Sequence, residues 1–240
     1  MVTKNQIKTV KRLQQKKYRN QLGLFVVEGR KLAEELLQSH FTLEHLFVTD
    51  SKMGESLYSD FVVIGENQMK QMSGLSSSSD VLAVFRFSKN TVVNPSDWIL
   101  ALDAVRDPGN LGTIIRISDW FNIPQIVASE DTVDCYNPKV LQASMGSVAR
   151  VNIVYTDLKG FLQDSKIPIY GTYMEGENVF QYAFPDRGVI VMGNEANGIS
   201  NEIGNLCNKK LGIPQYGEKT TESLNVAVAT AITLGALRGN

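Results

Sequence analysis

Apolar positions along this chain recur at two periods, and the alternation between them divides it into short elements. Ile7, Val10 and Leu13 stand three apart in a polar stretch, which predicts one amphipathic helix over residues 3–20. A compact apolar run at Leu24–Glu28 reads as a strand, and Leu32, Leu36 and Leu37 mark a helix over Arg30–Gln38. Strands at Leu43–Val48, Phe61–Ile64 and Val81–Phe85, with a helix near Glu66–Met72, complete a first α/β region. Residues 88–97 are polar and contain Pro95, and they read as a linker.

Past the linker the pattern is more regular. Strands are predicted at Trp98–Leu102, Gln125–Ala128, Val151–Val154, Ile167–Thr172, Gly188–Met192 and Lys210–Ile213. Helices near Asn110–Phe121, Pro138–Met145, Leu158–Asp164, Asn201–Leu206 and Glu222–Leu237 intervene. Apolar strands alternating with helices predict a mostly parallel sheet covered on both faces, whose ligands sit beyond the carboxyl ends of the strands. The expected organisation is a small α/β domain at 1–87, a linker at 88–97 and a second α/β domain at 98–240.

Three loops with glycines and polar side chains follow the strands ending at Leu102, Met192 and Ile213, which points to one composite site. The first runs from Asp103 through Pro108, Gly109 and Asn110 to Arg116. Pro108 suits a helix start, and the glycines allow close backbone approach. If Asn110 caps the helix, it and Arg116 both reach the strand-end cleft, where Arg116 would grip a phosphate. A capping asparagine with a surface arginine is the alternative. The second loop, Gly193-Asn194-Glu195-Ala196-Asn197-Gly198, lacks the spacing of a dinucleotide fingerprint, and no phosphate-loop Gly-Lys-Ser/Thr occurs. Its carboxylate would repel a pyrophosphate but accept hydrogen bonds from an amino group or hydroxyl; a plain turn is the alternative. The third runs from Ile213-Pro214 to Ser223-Leu224-Asn225-Val226.

Charge adds a second theme. The 240 residues carry a net charge of −1, yet Lys4, Lys8, Lys11, Arg12, Lys16, Lys17, Arg19 and Arg30 crowd the first 30. Such a basic end is a footprint for a polyanion, or else a solvated helix face. Cys135 and Cys207 fit no metal-ligand spacing and read as buried thiols in a reducing compartment. His40 and His45 lie together, far from the three loops, which argues against histidine catalysis. No run approaches the roughly 18 apolar residues of a membrane span. Residues 1–17 lack an apolar signal core, so a cytoplasmic location is expected.

Taken in order, the three loops resemble the motifs of the SpoU (TrmH-like) branch of the SPOUT RNA methyltransferases. Asp107-Pro108-Gly109-Asn110-Leu111-Gly112 with Arg116 is similar to the first motif, and Gly193 to Ser200 to the second. Ile213-Pro214 with Ser223-Leu224-Asn225-Val226-Ala227-Val228-Ala229 is similar to the third, and Ser144-Met145-Gly146-Ser147 also resembles the family. The match covers residues 98–240, and Phe25-Val26-Val27-Glu28-Gly29 resembles the L30e-like RNA-binding domain that precedes the catalytic domain in ribosomal-RNA members. Gln215, Ala196, Ile117-Ser118 and Asn122 depart from the usual residues without removing a polar group of the motifs.

The resemblance implies a C-terminal trefoil knot, a homodimer, and methyl transfer from S-adenosyl-L-methionine to a ribose 2′-hydroxyl without a metal. It implies that Arg116, Asn110, Glu195, Ser223 and Asn225 serve catalysis. It implies that Gly193, Gly198, Ile213, Leu224, Asn225 and Thr172 hold the cofactor. Lys8, Lys11, Arg12, Lys16, Lys17, Arg19 and Arg30 are the expected RNA contacts, and ribosomal RNA is favoured over transfer RNA. The competing readings are a non-catalytic RNA-binding protein of the same fold and an unrelated α/β enzyme with a nucleotide ligand.

Overall fold

The computed structural model describes residues 2–88, 92–218 and 223–239. In chain order its elements begin with α1 (Lys4–Arg12), α2 (Lys16–Leu22), β1 (Leu24–Glu28), α3 (Arg30–Leu37), β2 (Leu43–Val48), α4 (Ser51–Leu57), β3 (Val62–Val63), α5 (Glu66–Met72) and β4 (Val81–Arg86). Then come β5 (Ile99–Leu102), α6 (Pro108–Trp120), β6 (Gln125–Ser129), α7 (Pro138–Ser144), β7 (Asn152–Thr156), α8 (Leu158–Gln163), β8 (Ile169–Tyr173), β9 (Glu177–Asn178), β10 (Val189–Met192), α9 (Asn201–Gly204), β11 (Lys209–Gly212) and α10 (Val226–Gly239). They form two compact units: residues 1–89 with 134–149, and residues 90–133 with 150–240.

In the first unit the strands lie in the order β1-β4-β2-β3, with β4 antiparallel to both neighbours. One face packs Val10, Leu13, Val26, Phe47, Met69 and Leu82 into a core. On β1, Phe25 stacks on Tyr136, with ring centroids 4.5 Å apart, and Tyr136 stacks on Phe87 at 4.4 Å. Gln142 Nε2 donates to the Glu28 carbonyl at 2.7 Å, tying α7 to the end of β1.

The single helix expected over residues 3–20 is two helices. Thr3 and Gln6 close a reciprocal cap on α1, and the apolar stripe Ile7, Val10 and Leu13 carries the helix to Arg12. Gln15 is then extended, at φ −104° and ψ 130°. The break leaves the carbonyls of Leu13 and Gln14 free to accept from Arg19 Nη1, at 2.9 and 3.0 Å. The same guanidinium donates to Asp134 Oδ2 from Nε at 3.0 Å and from Nη2 at 2.6 Å. A stripe read locally registers none of this, because the compensating carboxylate lies 115 residues away. Helix α4, capped by Asp50, is a further element that the apolar pattern missed.

The second unit holds a seven-stranded sheet in the order β7-β6-β5-β10-β8-β11-β9, with every pairing parallel. Strand β10 inserts between β5 and β8, and β11 between β8 and β9. Ile99, Ala101, Val127, Ile169, Val189 and Val191 build the core under this sheet. The insertion sets the carboxyl ends of β5, β10, β8 and β11 side by side, with Met192 paired to Leu102 and Gly212 to Tyr173. The two-residue strand β9 is too short to leave a periodic signal and was not anticipated. Helix α10 begins at Val226, later than the expected Glu222. Glu222 lies outside the described residues, while Ser223–Asn225 are non-helical and Asn225 closes the helix end.

Candidate active site

All three motif loops belong to the second unit, and their side chains close on one another at the adjacent strand ends. Asp107, and not Asn110, caps α6, accepting from the Asn110 N–H at 2.8 Å, with Pro108 in the first turn where its missing N–H costs nothing. The Glu195 carboxylate from the second loop reaches that helix start. It accepts from Asn110 Nδ2 at 3.0 Å, from the Asp107 N–H at 3.2 Å and from the Arg106 N–H at 3.3 Å. From the third loop, Asn225 Nδ2 donates to Asn110 Oδ1 at 2.9 Å, while Asn225 Oδ1 accepts from the N–H groups of Ala227 and Val228. One chain of hydrogen bonds, Glu195–Asn110–Asn225, therefore joins the three motifs.

Burial pushes the Glu195 carboxyl up, but the hydrogen bonds from Asn110 and the backbone N–H groups around it outweigh that and leave it below its ordinary range. It is an anion at neutral pH, with lone pairs committed to these three donors and, at 3.4 Å, to Asn194 Nδ2.

Backbone geometry shapes the second loop. Gly193 passes so close to Gly198 that a Cβ at 193 would lie 2.1 Å from the Gly198 carbonyl carbon. Gly198 itself is left-handed, at φ +67°. Asn194 folds the loop by accepting from the Ala196 and Asn197 N–H groups, and its Nδ2 donates to the Ala104 carbonyl at 2.6 Å. Ala104 is left-handed too, at φ 58°, and its N–H is held by Ser129 Oγ at 2.9 Å. Sequence reasoning passed over Asn194 and Ser129. The legible signal was a polar residue at or within two positions of the end of an apolar strand, which also marks Asp103, whose buried carboxylate accepts from the Ser200 N–H at 2.7 Å.

The remaining candidates are less engaged. Arg116 is exposed on α6 and, among the described residues, forms no hydrogen bond or ion pair. Ser223 and Leu224 are exposed beside Asn225, and Ile213 is half-buried directly after β11. Thr172 Oγ1 donates to the Val191 carbonyl at 2.9 Å, which commits the hydroxyl to the neighbouring strand.

In the first unit, Lys8, Lys11, Arg12, Lys16, Lys17 and Arg30 are exposed. Arg12 lies over the Tyr18 ring, 5.1 Å from its centroid, and Arg30 pairs with Glu34 one turn on at 2.7 Å. Arg19 corrects the sequence reading. It is 1% exposed, with its guanidinium spent on Asp134 and two carbonyls, so it is a core residue and not an RNA contact.

Comparison with known proteins agrees with this geometry. The SpoU rRNA Methylase family matches residues 97–235, and an MRM3-like substrate binding domain matches residues 4–83. The 23S rRNA (guanosine(2553)-2′-O)-methyltransferase RlmP of Bacillus subtilis is 30% identical over 98% of this chain and 97% of its own length. A solved structure of a TrmH-family protein from Porphyromonas gingivalis is 33% identical with a TM-score of 0.92, covering 100% of this chain and 99% of that one. The AdoMet-bound rRNA methyltransferase from Sinorhizobium meliloti is 26% identical with a TM-score of 0.88, covering 100% of this chain and 96% of its own. The parallel sheet and its strand-end loops define an α/β protein of the SPOUT methyltransferase class. Within that class, the chain belongs to the SpoU rRNA Methylase family.

Proposed function

We propose that this protein methylates a ribose 2′-hydroxyl of large-subunit ribosomal RNA, with S-adenosyl-L-methionine as methyl donor. The observation that carries the reading is the hydrogen-bonded chain from Glu195 through Asn110 to Asn225, which links all three motifs at one row of strand ends. The full-length likeness to a 23S rRNA 2′-O-methyltransferase supports the same substrate class.

The residues fit the cofactor. Gly193 and Gly198 offer backbone unobstructed by side chains, and Ile213 and the exposed Leu224 add main-chain groups at the adjoining ends. When bound, S-adenosyl-L-methionine would supply a methyl group on a sulfonium sulfur, which leaves as a neutral thioether when the ribose oxygen takes the methyl. The protein's own work is then positioning. Arg116 holds the phosphate beside the reacting ribose through its planar fork of donors and orients the 2′-hydroxyl, whose proton passes to that phosphate or to solvent. Asn110, fixed by Glu195 and Asn225, keeps a second amide hydrogen and one oxygen lone pair with which to orient the ribose or Arg116. Asn225 Oδ1 already accepts from two N–H groups and its Nδ2 donates to Asn110, so it acts by holding Asn110 and the start of α10. Ser223, exposed and without a hydrogen bond among the described residues, has its hydroxyl available to the substrate in this reading. Thr172 supports the cofactor loops through the Val191 carbonyl.

Residues 1–87 form the RNA-substrate domain in this reading, with Lys8, Lys11, Arg12, Lys16, Lys17 and Arg30 as phosphate contacts, and residues 98–240 form the methyltransferase domain. A C-terminal trefoil knot agrees with the late insertion of β10 and β11 into the sheet. A homodimer agrees with the 83% exposure of Trp120 on α6 and the 49% exposure of Val228 on α10, because these two helices pack together. No helix among the described residues is long and apolar enough to cross a membrane; a cytoplasmic site of action belongs to the proposal through its ribosomal-RNA substrate.

The test is transfer of radiolabelled methyl to unmodified large-subunit ribosomal RNA, with transfer RNA in parallel. Label at one ribosomal linkage that resists alkaline cleavage is the expected result. Label in transfer RNA alone would overturn the substrate, and cofactor binding without transfer to naked RNA or to ribosomal particles would overturn the enzymatic reading.

A further inference from the structure

Arg106 was singled out by neither the motif nor the site, yet the network fixes its main chain at the rim. Its N–H donates to Glu195 Oε2 at 3.3 Å, in the same carboxylate that holds Asn110. Its side chain leaves the cluster and donates from Nη2 to Asp131 Oδ2 at 3.2 Å, with the two side chains 69% and 53% exposed. Asp131 is itself fixed, because its Oδ1 accepts from Ser129 Oγ at 2.7 Å, and that oxygen anchors the left-handed Ala104.

The surroundings of Arg106 are thus acidic, with Glu195 on its N–H, Asp131 on its side chain and Asp107 next to it in the chain, and these carboxylates would repel an RNA backbone entering the site. Arg106 is the cation that offsets them on the same loop. A single long hydrogen bond between two exposed groups is a weak pairing. A guanidinium offers a phosphate two parallel donors and binds it more strongly.

We propose that Arg106 is a substrate-binding residue whose guanidinium exchanges Asp131 for a phosphate of the RNA strand bearing the reacting ribose, Asp131 holding its place in the free protein. This rests on the RNA methyltransferase reading above and extends it to a contact beyond the three motifs. Such a contact raises affinity and sets strand register without reading the base.

The test measures binding of the full-length protein to an unmodified large-subunit ribosomal RNA transcript over a series of salt concentrations. Arg106→Gln should weaken binding about tenfold at physiological salt, the usual scale for a lost charge-assisted hydrogen bond. The slope of log affinity against log salt should become shallower by about 0.7–0.9, the loss of one phosphate contact. Arg106→Lys should restore the slope but not the full affinity. Asp131→Asn, which keeps the oxygen that accepts from Ser129, should bind RNA at least as tightly as the parent. S-adenosyl-L-methionine affinity should be unchanged in all three. Equal affinity and slope in Arg106→Gln overturn the proposal, as does any loss of RNA affinity in Asp131→Asn, which would make the pair a structural clamp. A parent that binds RNA but transfers no methyl to it or to ribosomal particles would sink the enzymatic reading while this binding test still decides the role of Arg106. A parent that binds neither the transcript nor ribosomal particles overturns both.

Discussion

Asn225 Nδ2 donates to Asn110 Oδ1 across 2.9 Å, joining the start of α10 to the start of α6 over 115 residues of chain. Because Asn110 in turn donates to Glu195, the orientation of each asparagine amide is set by the next partner. Asn225→Asp tests this. The aspartate keeps an oxygen for the Ala227 and Val228 N–H groups, so thermal stability should stay within about 1 kcal/mol of the parent, the scale of a cap. It cannot donate to Asn110, and methyl transfer should fall at least tenfold. Unchanged turnover would remove this link from the mechanism.

Arg116→Ala should abolish methyl transfer while calorimetry finds cofactor affinity intact. The side chain supports no other part of the described structure, so its loss should not lower the melting temperature. Turnover above about a tenth of the parent's would exclude it, since a group acting in the transition state contributes roughly 10²-fold or more.

Gly193→Ala should damage the cofactor loops, because the new methyl group would fall 2.1 Å from the Gly198 carbonyl carbon and the 193–198 loop must shift. The expected readout is a rise of more than about tenfold in the cofactor Kd, with far-ultraviolet circular dichroism unchanged; one interaction of ~1.4 kcal/mol is enough for that factor.

Glu195 should lend the fold a pH-dependent stability. Its folded pKa lies below the ordinary 4.5, so the stabilisation is fully present above that value and is lost as pH falls through the folded pKa. Glu195→Gln should therefore show a flatter decline of unfolding midpoint below about pH 4.5 than the parent. Identical acid limbs for the two proteins would refute the assignment.

Arg19→Met should lower stability by about 3–5 kcal/mol, the cost of leaving one member of a buried pair uncompensated. Here it would strand Asp134 and also release the carbonyls of Leu13 and Gln14. The salt dependence of RNA binding, measured on protein that remains folded, should be unaltered. Lys16→Gln and Lys17→Gln should do the reverse, reducing that slope by about 0.7–0.9 each with little change in melting temperature. A salt-slope change in Arg19→Met would return it to the RNA surface.

Element type was legible where a pattern is local. Leu24–Glu28, Val189–Met192 and the α6 stretch each carry their own period, turn residues and cap, so composition within about ten residues specifies them. The three glycine-bearing loops were legible for the same reason, since each follows an apolar run and is spelled out by adjacent residues. What no local window contains is the partner of a buried charge or the neighbour of a strand. Arg19 reads as one more cation on a basic helix until Asp134, 115 positions on, turns it into the centre of a buried network and explains the break at Gln15. Likewise the insertion of β10 between β5 and β8, and of β11 beyond β8, is a matter of strand order. That order makes one site of Glu195, Asn110 and Asn225, because hydrogen bonds act over about 3 Å of space regardless of chain separation.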